Sequence, residues 1–316
     1  MDFKALFSKK NTDDFGAGLT VQNGVFKYVL LERGKNGYMI SSAISDTFEE
    51  KSKENPYGEI FHKLSGFAKN KAPLSVSLPV SETMLKLLYM PMELTDARLS
   101  LRYEIENFFP VSSGEAVFDV ADVDFPFAEQ YEGRHYLAAV ARKAKIEALS
   151  DAARTYGFSI ECVEPAQIAI ERAVSLYSEH GETVMFIYAE GQFIQYILFW
   201  HNNGIFYRSS YFNNYTDAQN PAGEVSEEFK INVLTKEIRR FLDEAYAETK
   251  IAAKSAVLLG PSTDYRLCQA LQTQLAPLKF DCLNVMELNS IEMINIDNKN
   301  SQWDIPLGLA LRHFDV

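Results

Sequence analysis

The sequence predicts an α/β protein of two similar lobes with a distinct α+β block between them. Three observations lead there. A three-strand meander pattern occurs twice, as "GLTVQNGVFKYVLLERGKNGYMISSAISDTF" from Gly18 and as "VMFIYAEGQFIQYILFWHNNGIFYRSSYF" from Val184. Thr20 and Tyr188 end the first strand of each copy, and Gly37 and Gly204 close its second turn. Two turns kept at one spacing, half a chain apart, mark an internal duplication. Between the copies the pattern changes to a separate set of strands and helices.

Each element has a local reason. Strands at about 17–21 and 25–32 flank Gln22-Asn23-Gly24, and Asn36-Gly37 is a hairpin signal leading into the third strand. "NPYGEIFHKLSGFAKN" reads as a helix facing inward with Ile60, Leu64 and Phe67. In the middle block, "APLSVSLPVSETMLKLLYMP" gives two strands, and "GEAVFDVADVDFP" and "RHYLAAVAR" give two more. "LTDARLSLRYEIENFFP" is a helix with Ala97, Leu101, Ile105 and Phe108 in one stripe and Pro110 as its stop. "KAKIEALSDAARTYG" places Ile146, Leu149, Ala153 and Tyr156 inward, with Gly157 at C′. After the strand "FSIECVEP", Glu164 is a cap candidate, Pro165 fits N1, and Ala166, Ala169, Ile170, Ala173, Val174 and Tyr177 form the next stripe. In the second copy, Leu234, Ile238, Phe241, Leu242 and Ala245 make one helical face. "SAVLLGPSTDYRLCQALQTQLA" is a buried strand, a turn and a helix whose N-terminus suits a ligand, and "WDIPLGLALRHF" is a short closing helix.

Composition excludes several functions. The 316 residues suit about two domains, and 47% apolar with 23% charged residues is globular. A net charge of −12 argues against a nucleic-acid face and reads as solubility. Cys162, Cys268 and Cys282 are far apart and odd in number, which points to a reducing compartment and no disulfide framework. No His/Cys cluster predicts a metal site, and neither a membrane span nor a signal peptide is visible. "MDFKALFSKK" reads as a frayed terminus in preference to a weak membrane-surface helix. His201 is expected to be solvated at its turn, Asp119, Asp122 and Asp124 to form the wet face of a strand, and 217–228 to be a loop over the cleft.

Several segments, in order, resemble the actin-like proteins of the FtsA and PilM group. They are "FSKK" before the first hairpin, "YMPMELTDARLSLRYEIENFFPVSSGEAVFDVADV", "YLAAVARKAKIEALSDAARTYGFSIECVEPAQIAIERA", "LTKEIRRFLDEAY" and "PLGLALR". The resemblance implies an actin-like, ribonuclease H-like two-lobed fold. Its expected parts are a tail 1–10, the first lobe from 11–80, an inserted α+β subdomain 81–162, a helix 163–180 returning to the first lobe, the second lobe 181–305 and a closing helix 306–316. It implies a cytoplasmic protein, peripheral at the inner membrane, in the assembly platform of a type IV pilus. The expected partner is the cytoplasmic N-terminal segment of PilN, a bitopic membrane protein, lying in the groove by the inserted subdomain. Leu88, Tyr89, Tyr103, Phe108 and Phe109 are the candidates there. Pilus motor or platform proteins and a homo-oligomeric ring are further expected associations.

The nucleotide loops depart from the pattern. ATP-binding relatives carry Asp-x-Gly at the first hairpin, for Mg²⁺ and for close backbone approach. Here the place holds Thr20, Val21 and Gln22, followed by Asn23, with Lys27 at the family lysine. The second hairpin has Tyr188, Ala189 and Glu190 before Gly191, and a glutamate there repels phosphate unless a cation intervenes. The third loop keeps Gly260 and Ser262 around Pro261; Glu237 and Arg240 fall in the adenosine region by family position. Three altered loops predict a pseudo-ATPase, with no cofactor required and any ATP/Mg²⁺ binding residual. The alternatives are an ATPase or sugar kinase of the same superfamily, for which no base or glycine-rich phosphate loop is visible, and an FtsA-like polymer. GspL of type II secretion shares the fold and role but continues into a membrane helix, so PilM is the better match.

Overall fold

The computed structural model describes residues 14–22, 24–35, 37–49, 56–67, 72–127, 132–178, 183–201, 203–212, 226–293 and 301–314. The tail 1–10, Asn23, Asn36 and most of the 217–228 loop lie outside them. β1 (Phe15–Gln22), β2 (Val25–Arg33) and β3 (Tyr38–Thr47) form an antiparallel meander. After α1 (Pro56–Ser65), β4 (Leu74–Ser77) returns parallel to β1.

The chain then leaves this sheet. β5 (Thr83–Met90), α2 (Leu94–Phe108), β6 (Ala116–Asp122) and β7 (Arg134–Arg142) build a separate three-stranded sheet in the order β5-β7-β6. α2 covers one face, burying Ala97, Leu101 and Ile105 against Leu88, Met90, Val120 and Tyr136. The next elements go back to the first lobe. α3 (Lys143–Thr155) buries Ile146, Leu149, Ala152 and Ala153 in the core that α1 shares, and β8 (Ile160–Val163) pairs parallel with β4. Residues 143–163, most of them expected inside the insertion, therefore pack with the first lobe.

α4 (Ala166–Val174) leads to the second copy: β9 (Val184–Glu190), β10 (Phe193–Trp200) and β11 (Asn203–Tyr211). α5 (Glu227–Thr249) precedes β12 (Ser255–Leu259), parallel to β9; α6 (Tyr265–Gln274) precedes β13 (Lys279–Cys282), parallel to β12. The two sheets thus repeat one strand order, β3-β2-β1-β4-β8 and β11-β10-β9-β12-β13. The duplication is present in the topology. After α7 (Val285–Leu288), β14 (Ile291–Met293) adds to the first sheet beside β3. α8 (Asp304–Leu311) closes the chain, buried with α4 between the two sheets. No helix among the described residues is long and apolar enough to cross a membrane.

Some elements end earlier than their patterns suggest. α1 stops at Ser65, so Phe67 lies beyond it and is exposed; Tyr156 caps α3 from outside, its ring beside His62. Pro165 is the N-cap of α4, one position before the expected N1, and Glu164 turns inward to a pair of arginines. Asp119 is buried on β6, not wet, because Arg98 of α2 reaches it at 3.1 Å. His201 sits at its turn as expected but pairs with Asp124 and stacks on Trp200.

Candidate functional site

The two meanders bring their altered loops together across the cleft. Thr20, at the end of β1, is buried and its hydroxyl accepts from the Ser77 hydroxyl at 2.9 Å. The Gln22 amide oxygen accepts from the Val80 N–H at 3.1 Å. Alternation along β2 turns Lys27 toward the second lobe, where its ammonium forms an ion pair with the Glu190 carboxylate at the end of β9. The second Glu190 oxygen accepts from the Tyr188 hydroxyl at 2.6 Å, and burial beside that carboxylate holds the phenol well above its usual range. Gly260, in the left-handed region at φ +91°, donates its N–H to buried Asp304 at 2.9 Å. Any Cβ at Gly260 would meet the Ala189 backbone, so the loop requires glycine. Burial pushes the Asp304 carboxyl from 3.8 up to about 8, against the pull of the Gly260 N–H and Lys27.

Beside this cluster lies a cavity of about 250 Å³ between α5 and the loop into α6. Gly191, Lys230, Leu234, Ser262, Asp264 and Arg266 line it. The Gly191 N–H donates to the Ser262 hydroxyl at 2.9 Å, closing the loops on each other. Glu237 and Arg240 do not line it. Glu237 is buried against Arg208 at 2.7 Å, and Arg240 pairs with Glu244 one turn along α5. The helix positions that reach the cavity come earlier, at Lys230 and Leu234.

A second hollow, of about 30 Å³, lies where the inserted sheet meets the first lobe. Thr83, Phe118, Asp119, Ala139, Ile146 and Pro165 line it. One Asp119 oxygen accepts from the Val120 N–H and faces Arg98; the other, and the Thr83 hydroxyl, have no partner among the described residues. Burial raises the Asp119 carboxyl above its ordinary value, with Arg98 opposing. The sequence-based partner candidates divide. Leu88 and Phe109 are core residues under α2 and offer no surface. Phe108 is half-buried, its ring near the Lys86 ammonium, whereas Tyr89 and Tyr103 are exposed.

No protein-family model and no curated protein matches the sequence. Solved structures do. A PilM–PilN type IV pilus biogenesis complex superposes with a TM-score of 0.76 at 17% identity, covering 95% of this chain and 99% of its counterpart. The fold is actin-like. The cytoplasmic domain of EpsL, an inner-membrane component of the Vibrio cholerae type II secretion system, matches at 0.51 with 11% identity, over 86% and 98% of the two chains. A Bacteroides thetaiotaomicron protein with an actin-like ATPase fold and unknown function matches at 0.52 with 8% identity, over 87% and 95%.

An actin-like cleft that holds Mg²⁺-ATP needs carboxylates for the metal and open room for phosphate. Thr20 and Gln22 supply no charge, and their oxygens already accept from Ser77 and Val80. Glu190 supplies a carboxylate, but Lys27 neutralises it. These residues do not fit a magnesium-bound triphosphate.

Two consequences are measurable. Lys27→Met leaves the Glu190 carboxylate largely buried without its cation. Unfolding free energy is expected to fall by about 3–5 kcal/mol in denaturant titrations, and the Lys27→Met, Glu190→Gln double variant is expected to recover most of it. An unchanged single variant would show that the pair contributes nothing. Asp304, an acid with a raised folded pKa, binds its proton more tightly folded than unfolded. Its contribution is fully present below the unfolded pKa and is lost as pH rises through about 8. Asp304→Asn keeps an acceptor for Gly260 and is expected to flatten that fall, leaving the variant the more stable protein above the transition. Parallel stability curves for the two proteins would mean that Asp304 is already ionised when folded.

Proposed function

We propose that this chain is a non-catalytic adaptor of a type IV pilus or type II secretion-like inner-membrane platform. It binds the cytoplasmic segment of a membrane-anchored, PilN-like partner and relays that contact to other platform proteins. The observation that carries the reading is the Lys27–Glu190 pair, which ties together the two hairpin loops that the family resemblance assigns to phosphate. The likeness to a PilM captured with PilN supports the choice of partner class. Support for the location comes from the hollow between the inserted sheet and the first lobe, which has two buried polar atoms without partners among the described residues. Such atoms cost about 1–3 kcal/mol each unless something donates to or accepts from them. At about 30 Å³ the hollow has room for one small polar group, so a peptide laid along this face would reach those atoms through a single side-chain tip or a water.

A second reading is nucleotide binding without turnover, favoured by the cavity beside Lys230 and Arg266. Calorimetric titration with ATP separates the two readings, run with and without Mg²⁺ at concentrations sensitive to a Kd on the order of 100 μM. Mg²⁺ is expected to make no difference. Heat that depends on Mg²⁺ would reopen the enzymatic alternative.

The groove is tested with the cytoplasmic N-terminal peptide of the PilN-like protein from the same cell, by fluorescence anisotropy. Ala139→Phe, which blocks the mouth of the hollow with a ring too large to enter it, is expected to weaken binding at least tenfold, while Tyr103→Ala on the outer face of α2 leaves it unchanged. The reverse pattern would move the partner to α2.

A further inference from the structure

Two of the cysteines meet in space. Cys268 lies on α6 and is buried; Cys282 ends β13 and is exposed. The Gln272 side chain pins these elements together: its amide nitrogen donates to the Leu278 carbonyl at 3.0 Å and its oxygen accepts from the Phe280 N–H at 2.8 Å. In that register Cys282 Sγ donates to the Asp264 carbonyl at 3.4 Å, and the same carbonyl accepts the Cys268 N–H at 3.1 Å, so both cysteines stand on one acceptor. Asp264 is the N-cap of α6, and with Arg266 and Leu267 it lines the 250 Å³ cavity.

We propose that Cys268 and Cys282 form a dithiol modification site, closed to an intramolecular disulfide by a low-molecular-weight disulfide of the glutathione class. Two cysteines gathered on one carbonyl, on elements that Gln272 holds side by side, are placed for a disulfide to link α6 to β13. Exposure assigns the order. The Cys282 thiolate attacks one sulfur of the oxidant, its S–S bond breaks, and one small thiolate leaves. The Cys268 thiolate then attacks Cys282 Sγ of the mixed disulfide and expels the second small thiol. Two protein protons end on the two released thiols; the protein pair is oxidised and the small disulfide is reduced. Closure withdraws the Sγ–H donor from the Asp264 carbonyl, so the modification acts at the cavity wall. Burial of the sulfur, with Cys268, Asp264 and Asp281 around it, pushes the Cys282 thiol up to about 12. Exchange is therefore slow at neutral pH and quickens as pH rises. Cys162, buried elsewhere in the first lobe, is the internal control.

The test uses the native full chain with oxidised glutathione, followed by denaturation, maleimide counting of free thiols and mass spectrometry. Expected is a protein lighter by two hydrogen atoms, linked between the Cys268 and Cys282 peptides, with Cys162 alone still reduced. Cys268→Ala is expected to trap one glutathione on Cys282, and Cys282→Ala to leave both remaining thiols untouched. A wild-type protein that keeps glutathione on Cys282, that dimerises covalently through it, or that stays fully reduced at raised pH overturns the proposal.

Discussion

The structure depends on two helices with no face left for water. α4 and α8 are sandwiched between the two sheets, and all eight residues of α8 are buried. A helix buried on every side has to be small and apolar where neighbours come closest. Gly18 on β1 lets α8 lie against the strand backbone, since an added Cβ would run into the Pro306 carbonyl; Gly308 does the same for the Ala169 carbonyl of α4. A cluster of charged side chains interrupts this dry joint. Glu164, fully buried, takes two bonds from Arg172 of α4, at 2.6 and 3.0 Å, and a third contact at 3.2 Å from Arg312 after α8. Arg172 also donates to the Gly308 carbonyl at 2.8 Å. An acid with two guanidinium partners is satisfied, and it fixes the rotation of both helices in a core where apolar contacts alone are non-directional.

That joint sets how the two sheets face each other, and so determines what meets in the cleft. With α4 and α8 fixed, the ends of β2 and β9 converge, and Lys27 reaches Glu190. The sequence raises a question at this point: a glutamate near the phosphate position is repulsive unless a cation stands beside it. The protein supplies the cation from its own other lobe. The two lobes are thereby joined across the cleft by a direct side-chain ion pair.

The repeated meander was legible because a period of two and paired Asn-Gly turns are local signals. The helices of the inserted block and of α5 were legible for the same reason, through their 3.6-residue stripes. β13, α7 and β14 were not: the stretch 275–293 is short, mixed in polarity and stabilised by pairing with distant strands. The altered loops were readable as departures, yet the Lys27–Glu190 contact spans 163 positions and only the folded chain reveals it. Leu88 and Phe109 were misplaced for a related reason. An aromatic or aliphatic residue beside a helix end has the same local signature whether it packs inward or faces a partner. Sequence spacing likewise hides that β13 lies beside α6, which brings Cys282 and Cys268 onto neighbouring elements.

The inserted sheet packs on both lobes. One end packs on the first lobe at the hollow around Asp119. Its other end reaches the second lobe. Asp124 exchanges hydrogen bonds with Asn203 at 3.1 and 3.0 Å and faces His201 at 3.2 Å, while Phe125 joins the second-lobe core and stacks on His135 at 3.7 Å. The sheet thus bridges the two lobes, meeting the second at the β10–β11 turn, the end of β10 away from Glu190. A rotation of the second lobe about α4 and α8 has to carry Asp124 and Phe125 with it or break those contacts, and carrying them tilts the sheet against the first lobe where the hollow lies. The hollow and the Lys27–Glu190 pair are therefore two ends of one geometry. A peptide in the hollow, as proposed above, would then constrain the angle at which the pair forms, and coupling of that kind requires only an angle that both contacts share.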